Sequence, residues 1–510
     1  MIPRTFPSSL NTFSGETQMV VYLLGSVAGL TRWVDYIPVA WATASSQREN
    51  SYDANGFVAI DSLSSTTGKQ AWVDYVPCYV DPSAAGAWQV TPTGFVPVNY
   101  GSGNITGLFA NNVEGAWFDA SDMATLFQDA AGTTPVTAVE QPVGKWLDKS
   151  GRGNHATQST AASRPVLSAR YNLLTQTETG SSWNHDSLTY TFYNSPVASA
   201  GSLSSWGYTN MGLNYPRANA DVSSGVEVKC SAYLWVASGS VTVRPAAYYS
   251  GAWQLLASAF TLTSTPQLVK WTYTPTSATS FGSGLALQVQ GAGDLRITGA
   301  DLRLSADASL SIPAYQRVNT STDYDSTGFP LYLKFDGVDD SLSTGSINFT
   351  STDKMTVWAG VTKLSDAAAY GTAAEFGNRD VAQPGSFSLS APGSSAGEYY
   401  LAIENSGTVS YEPATFTAPI NSVLTGSFNF AGATVSDQIT PRVNGVINRS
   451  NPFGLASAGN FGNYPLYIGR RGGSTLPFNG RLTQLIVRGA ATADVSLTER
   501  FVGKKTGIIL

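Results

Sequence analysis

Charge is scarce in this chain, and so are cysteine and histidine. Only 13% of its 510 residues are charged, no lysine/arginine cluster exceeds a pair, and the net charge is -6 with a pI near 5.1. A nucleic-acid partner needs a basic stripe that displaces counterions, so that class is excluded. The longest apolar stretch, residues 19 to 30, is interrupted by Gly25 and Ser26 and is too short to span a bilayer, so membrane insertion is not expected. The opening Met1-Ile2-Pro3-Arg4 lacks a signal peptide's apolar run, which makes synthesis in a cytoplasm the expectation. Cys78 and Cys230 fall in segments assigned below to different domains and are expected as buried thiols. His155 and His185 sit in polar loops with no Cys or His at metal-ligand spacing, as solvated loop histidines do.

What is abundant is glycine, with 50 residues, together with aromatics, serine and threonine in short alternating runs. That is an all-β composition, and the length suggests about three domains at roughly 150 residues each. Helix signals are confined to Ser121–Asp129 and to Val495–Lys504, where Ser496 or Thr498 could cap a short helix. Within residues 1–108, Trp33-Val34-Asp35-Tyr36-Ile37-Pro38 is echoed by Trp72-Val73-Asp74-Tyr75-Val76-Pro77. The echo predicts two copies of a β-unit in a small sandwich, each strand stopping at its proline. The repeated aromatics belong either to the core or to a face that docks on another subunit. Residues 89–107, rich in Gly, Pro, Thr and Asn, have the composition of a linker.

The chain is organised around Leu331-Tyr332-Leu333-Lys334-Phe335-Asp336-Gly337-Val338-Asp339-Asp340-Ser341-Leu342, whose alternation on either side of Asp-Gly predicts a hairpin. A second hairpin is predicted at Arg442-Val443-Asn444-Gly445-Val446, on the strength of its Asn-Gly turn. The Phe335-Asp336-Gly337-x-x-Asp340 run resembles the opening of concanavalin A-like or laminin-G-like jelly rolls. Leu466-Tyr467-Ile468-Gly469-Arg470 and Phe478-Asn479-Gly480 through Val487 resemble their ending, with Gln484 where Glu is more usual. Trp117-Phe118-Asp119-Ala120 and Trp146-Leu147-Asp148-Lys149-Ser150-Gly151 through Gln158 resemble the entry segment of such jelly rolls in tailed-phage virion proteins. The entry segment and the Phe-Asp-Gly run are usually close, whereas here the chain from Gln158 to Leu331 intervenes.

An inserted module accounts for the gap. Asn172-Leu173-Leu174-Thr175-Gln176-Thr177-Glu178, then Trp183, and the closing Ala300-Asp301-Leu302 resemble galactose-binding-like, carbohydrate-binding-module-like sandwiches. The resulting plan is an N-terminal β module over 1–108, a concanavalin A-like sandwich from 109–168 plus 314–510, and an inserted sandwich over 169–313. Because a domain's termini are generally close, residues near 169 and 314 should be neighbours.

The resemblance implies a virion protein that binds host-surface glycans, with the N-terminal module meeting other virion proteins and a homo-oligomer, most naturally a trimer, supplying multivalency. Tail fibre and capsid decoration protein are alternatives that the sequence leaves open; a polysaccharide depolymerase is the enzymatic one. Catalysis finds little support. The 11 glutamates include none followed two residues later by Asp, so the Glu-x-Asp-x-Glu strand of concanavalin A-like glycosidases is absent, as are nucleophile elbows and phosphate loops. No cofactor is required. Asp336, Asp339 and Asp340 could gather around calcium, as in some laminin-G-like sandwiches, although turn formation also explains them. Candidate carbohydrate contacts are Trp183, Trp206, Tyr208, Tyr215 and Trp253, each a stacking ring or, alternatively, a core residue.

Overall fold

Why the strands fall where they do is clearest in Lys354–Lys363. Met355, Val357, Ala359 and Val361 alternate onto one face and join the main core, while Trp358 on the other face packs under a C-terminal helix, Val495–Thr506. In this computed structural model the described residues are 18–23, 37–41, 59–62, 76–80, 88–91, 94–96, 105–185, 188, 190–194, 204–208, 215–367, 369–381, 383–492 and 495–510. The chain divides into two compact units, Met1–Gly103 and Asn104–Leu510. It is all-β apart from the short helices.

The first unit carries one six-stranded sheet, in the order Ala59–Ser62, Gln18–Leu23, Val76–Val80, Ile37–Trp41, Trp88–Thr91, Gly94–Val96. Its pairings are parallel except for the last two strands. Two expectations are thereby corrected. The echoed prolines do not end strands, because the paired segments begin at Ile37 and Val76 and run through Pro38 and Pro77, with Ile37 opposite Cys78 and Pro38 opposite Tyr79. A proline removes one ladder donor and leaves the alternate residues free to pair. The expected linker instead contributes paired strands, with Gln89, Val90 and Thr91 opposite Val96, Phe95 and Gly94. Trp33–Tyr36 and Trp72–Tyr75 lie outside the described residues.

In the second unit two sheets pack into a sandwich. A ten-stranded sheet runs from Phe453–Gly454 through Thr372–Phe376 and Leu342–Asn348 to Leu126–Phe127, and an eight-stranded one is centred on Lys354–Lys363 and Asn479–Arg488. Leu333, Val357, Leu424 and Leu485 from one sheet meet Phe376, Phe387, Leu401 and Ile468 from the other, all fully buried. Strands from 115–168 lie in both sheets: Gly115–Asp119 pairs with Asn479–Arg488, and Ala156–Thr157 with Leu342–Asn348. The unit starts before residue 109, because Ile105 and Phe109 are buried against Trp117 and Trp358. Of the predicted helices, Val495–Thr506 is present, whereas Ser121–Asp129 contains only the single turn Met123–Thr125, since Leu126–Phe127 is drawn into the sheet opposite Lys145–Trp146.

The organising stretch is not a hairpin. Tyr332–Asp336 pairs with Val166–Ser168 and Asn479–Arg488 in the eight-stranded sheet, while Leu342–Asn348 pairs in the ten-stranded one. Its Asp-Gly turn therefore carries the chain from one layer to the other. The Asn-Gly hairpin forms as predicted: Val443 faces Val446 across Asn444 (φ 49°) and Gly445 (φ 77°), the paired positive φ that a type I′ turn demands. Gln484 also finds its reason. Its side chain accepts from Trp117 Nε1 at 3.1 Å and donates to the buried Asp119 carboxylate, where a glutamate would set two carboxylates against each other.

Residues 190–304 form a separate sheet built on two long strands, Val228–Tyr249 and Ala286–Leu304, paired along their length. Among the described residues its strands pair with none of the sandwich strands. The register shifts between Val236 and Gly239, where a Cβ on Gly239 would come 2.2 Å from the Ala292 carbonyl oxygen. Val228, Cys230, Ala232 and Leu234 face this sheet's own core with Trp271 and Ile297. Cys230 is a buried free thiol; the Cys78 side chain lies outside the described residues.

Two side chains stitch the place where the chain leaves the sandwich and returns. Gln316 accepts from the backbone N–H of Tyr171 (2.8 Å) and Asn172 (2.9 Å) and donates to the carbonyls of Ala169 and Asp325. Asn172 donates to the carbonyls of Ala300 and Gln316. Beside them Arg481 pairs with Asp307 at 2.9 and 3.0 Å and lies between the rings of Tyr171 and Tyr332, 5.0 and 4.8 Å away. Asp307 is fully buried, so removing its partner strands a carboxylate. Arg481→Met is expected to cost about 3 to 5 kcal/mol in chemical denaturation, and adding Asp307→Leu to recover most of that. A single variant within about 1 kcal/mol of wild type would show that the pair does not hold this junction.

Candidate functional site

Ser250-Gly251 closes a two-residue turn, with φ 53° and 74°, between Val228–Tyr249 and Ala252–Leu255, and so sets Trp253 directly opposite Tyr248. The Tyr248 ring meets the edge of Trp253 at 5.4 Å, and Tyr215 stacks on Trp253 at 4.2 Å with 12° between the planes. Phe281 extends the row, its ring 5.3 Å from Tyr248. Phe281 is 68% exposed and has φ 62°, a conformation costly to a bulky residue and common where a loop serves a ligand. Arg217 ties the row together by donating to the carbonyls of Phe281 (3.2 Å) and Tyr215 (3.1 Å) with its guanidinium 5.7 Å from the Trp253 ring. Gln288 donates to the Tyr215 hydroxyl. Such a ridge, half-buried and edged by guanidinium and amide, offers apolar ring surface to the C–H face of a pyranose and hydrogen bonds to its hydroxyls.

Of the five rings expected to meet sugar, Tyr215 and Trp253 therefore come together. Trp183 does not join them: it is 5% exposed, packs in the core with Leu174 and Ala218, and donates from Nε1 to the Thr175 carbonyl at 3.0 Å. A core needs large rings as much as a ligand site does. Trp206 and Tyr208 lie on Ser204–Tyr208, between Tyr190–Asn194 and Ala286–Leu304, and their side chains are outside the described residues. Phe281 was missed because a lone exposed Phe carries no period; only its place before Gly282 marked a turn.

Neither a family model nor a curated protein matches this chain. Solved structures with partial likeness include the CBM22-1 xylan-binding domain of Paenibacillus barcinonensis Xyn10C, at 16% identity and a TM-score of 0.19 over 26% of this chain and 91% of that one. Domains LG4-5 of the mouse laminin alpha1 chain are similar at 12% identity and a TM-score of 0.24, over 55% of this chain and 86% of theirs. Trypanosoma rangeli sialidase in complex with DANA is similar at 11% identity and a TM-score of 0.26, over 73% of this chain and 65% of the sialidase. In the Clostridium thermocellum xylanase 10B modules complexed with xylohexaose, the similar part is 28% of that chain. These likenesses are remote, and the all-β architecture rests on the strands themselves.

The corner of the sandwich gathers the three aspartates. Asp336 Oδ1 accepts from the backbone N–H of Val338 (2.8 Å) and Asp339 (3.2 Å), Asp340 Oδ2 from that of Asp336 (3.0 Å), and Asp339 Oδ2 from the Ser163 hydroxyl (2.7 Å). One oxygen from each carboxylate lies within 4.8 Å of the others. Turn formation accounts for the three backbone bonds and Ser163 joins from a distant segment, and the lone pairs left over are of the hard-oxygen type that calcium takes. Burial, with the Asp336 charge beside it, pushes the Asp340 carboxyl up to about 6. Elsewhere, burial pushes Glu375 up to about 7 against the pull of Arg471, but Glu375 is wholly covered, with Arg471 Nε 3.1 Å away, and offers a substrate no access.

A carboxyl whose folded pKa is raised binds its proton more tightly folded than unfolded. Stability is therefore fully present below about pH 4 and falls as pH rises to about 6. Asp340→Asn keeps the acceptor for the Asp336 N–H and should gain about 1 to 2 kcal/mol at pH 7, allowing for solvent screening, with no gain at pH 4. Equal effects at both pH values in thermal melts would refute the raised Asp340 carboxyl.

Proposed function

We propose that this chain is a non-enzymatic carbohydrate-binding protein of a tailed-phage virion, a tail-fibre or receptor-binding component that attaches to host-surface glycan. The observation that carries the binding half is the ridge Tyr215–Trp253–Tyr248–Phe281, braced by Arg217. The virion half rests on the resemblance of the entry segment and the Phe335-Asp336-Gly337 run to phage jelly rolls. The N-terminal unit would then meet other virion proteins and bring copies together as a trimer. A single sugar-type site is weak, near millimolar or about -4 kcal/mol, and repeated copies raise avidity by orders of magnitude.

No acid and nucleophile are needed for this activity, and neither is a cofactor. Phe281→Ala and Trp253→Ala should leave a cooperative melt and weaken binding of the full chain to host cells or immobilised host polysaccharide by about 1 to 3 kcal/mol. EDTA should leave that binding unchanged. Unchanged binding by a well-folded double variant would remove the ridge from the site, and release of reducing ends from the polysaccharide by purified protein would overturn the non-enzymatic assignment.

A further inference from the structure

At the other end of Val228–Tyr249, on the face turned away from the core, a groove of about 740 Å³ runs between the sheet and the returning segment 307–315. Three strands make its floor. Ser231 lies opposite Lys270 on Gln267–Tyr273 and opposite Asp301 on Ala286–Leu304; one step along, Lys229 lies opposite Thr272 and Arg303. Leu310 and Ile312 form one wall, and Tyr233 and Tyr315 flank the floor.

The charges in this groove do not cancel. Arg303 grips Asp301 with both arms of its fork and also donates to the carbonyls of Pro313 and Ala314 at 3.1 Å, so the Asp301 and Arg303 charges neutralise each other and fix the wall to the floor. Asp307, which also lines the groove, is neutralised by Arg481. Lys229 and Lys270 remain. Both are exposed, neither has a carboxylate within ion-pair distance among the described residues, and they sit diagonally across adjacent strands, roughly 7 Å apart at the backbone. In a chain with net charge -6, a concave site with two uncompensated positive charges is a local reversal of sign.

We propose that this groove is a second binding site, taking a carboxylate-bearing saccharide whose acid group sits between Lys229 and Lys270 while the Ser231 and Thr272 hydroxyls meet the sugar's own. The volume is that of a small-ligand site, and the mixture of hydroxyl, aromatic ring and cation suits an acidic sugar unit. The proposal goes beyond the ridge and takes from the previous section only that glycan is the ligand class.

The test is binding of trigalacturonate to the full chain by calorimetry, beside neutral xylotriose and a tri-aspartate peptide. Trigalacturonate should bind, weaken with added salt, and lose roughly tenfold in affinity in Lys229→Gln/Lys270→Gln, while Trp253→Ala leaves it unchanged. Retained cooperative melting of the lysine variant makes that loss one of recognition. No binding of trigalacturonate, equal binding of the peptide, or equal affinity in the lysine variant would each overturn the groove assignment. Loss in Trp253→Ala alone would instead place acidic sugar on the ridge, so failure of the groove and failure of the ridge give different results.

Discussion

The second unit depends on one buried guanidinium. Arg481 comes from the middle of the sandwich, on the strand Asn479–Arg488, yet its partner Asp307 belongs to the segment that follows the other sheet's last strand, and its two aromatic neighbours stand at the departure (Tyr171) and the return (Tyr332) of the chain. Burial works against the charge on this guanidinium, and the Asp307 carboxylate together with Tyr332 and Tyr171 outweighs it and holds the cation firmly charged. Because an unpaired charge at this depth is so costly, the two crossings of the chain have essentially one arrangement. Gln316 and Asn172 reinforce it with hydrogen bonds to four backbone carbonyls and several N–H groups that would otherwise be buried without partners.

From that fixed junction the long pair Val228–Tyr249 and Ala286–Leu304 projects as a single ladder. Near the junction the ladder carries the Asp301–Arg303 pair, and beyond the shift at Gly239 it carries Tyr248 and, through the Ser250-Gly251 turn, Trp253. Backbone hydrogen bonding along both strands makes the ladder stiff compared with a loop, so side chains at its two ends keep their spacing. This is the circumstance in which a binding surface can be assembled from single residues far apart in sequence, such as Tyr215, Trp253 and Phe281, with little entropy lost on binding.

Local chemistry was legible in the sequence wherever the deciding interaction is itself local. The Asn444-Gly445 turn, the alternation of Lys354–Lys363 and the C-terminal helix all follow from neighbours within a few residues. Asp336-Gly337 has the same local signature, and its turn forms, but whether the flanking strands pair with each other is decided by partners more than a hundred residues away, Val166–Ser168 on one side and Ala156–Thr157 on the other. The candidate site divides in the same way. The hairpin that presents Trp253 turns on the local pair Ser250-Gly251, whereas nothing near Trp183 distinguishes a ring that packs in a core from one that meets a ligand.

Composition was a guide to what the surface cannot do and a poor guide to where it acts. A net charge of -6 gives the chain no overall attraction for anions, yet cross-strand pairing cancels Asp301 with Arg303 and leaves Lys229 and Lys270 unmatched on one floor. Register is what makes the difference. Moving Lys270 by one residue would turn it to the core face, where Trp271 now lies against Cys230, and the positive floor would vanish with no change in composition. The sign of a local field is therefore a property of strand pairing, in the same sense that the aromatic ridge is a property of a two-residue turn, and both are placed by the junction that Arg481 holds.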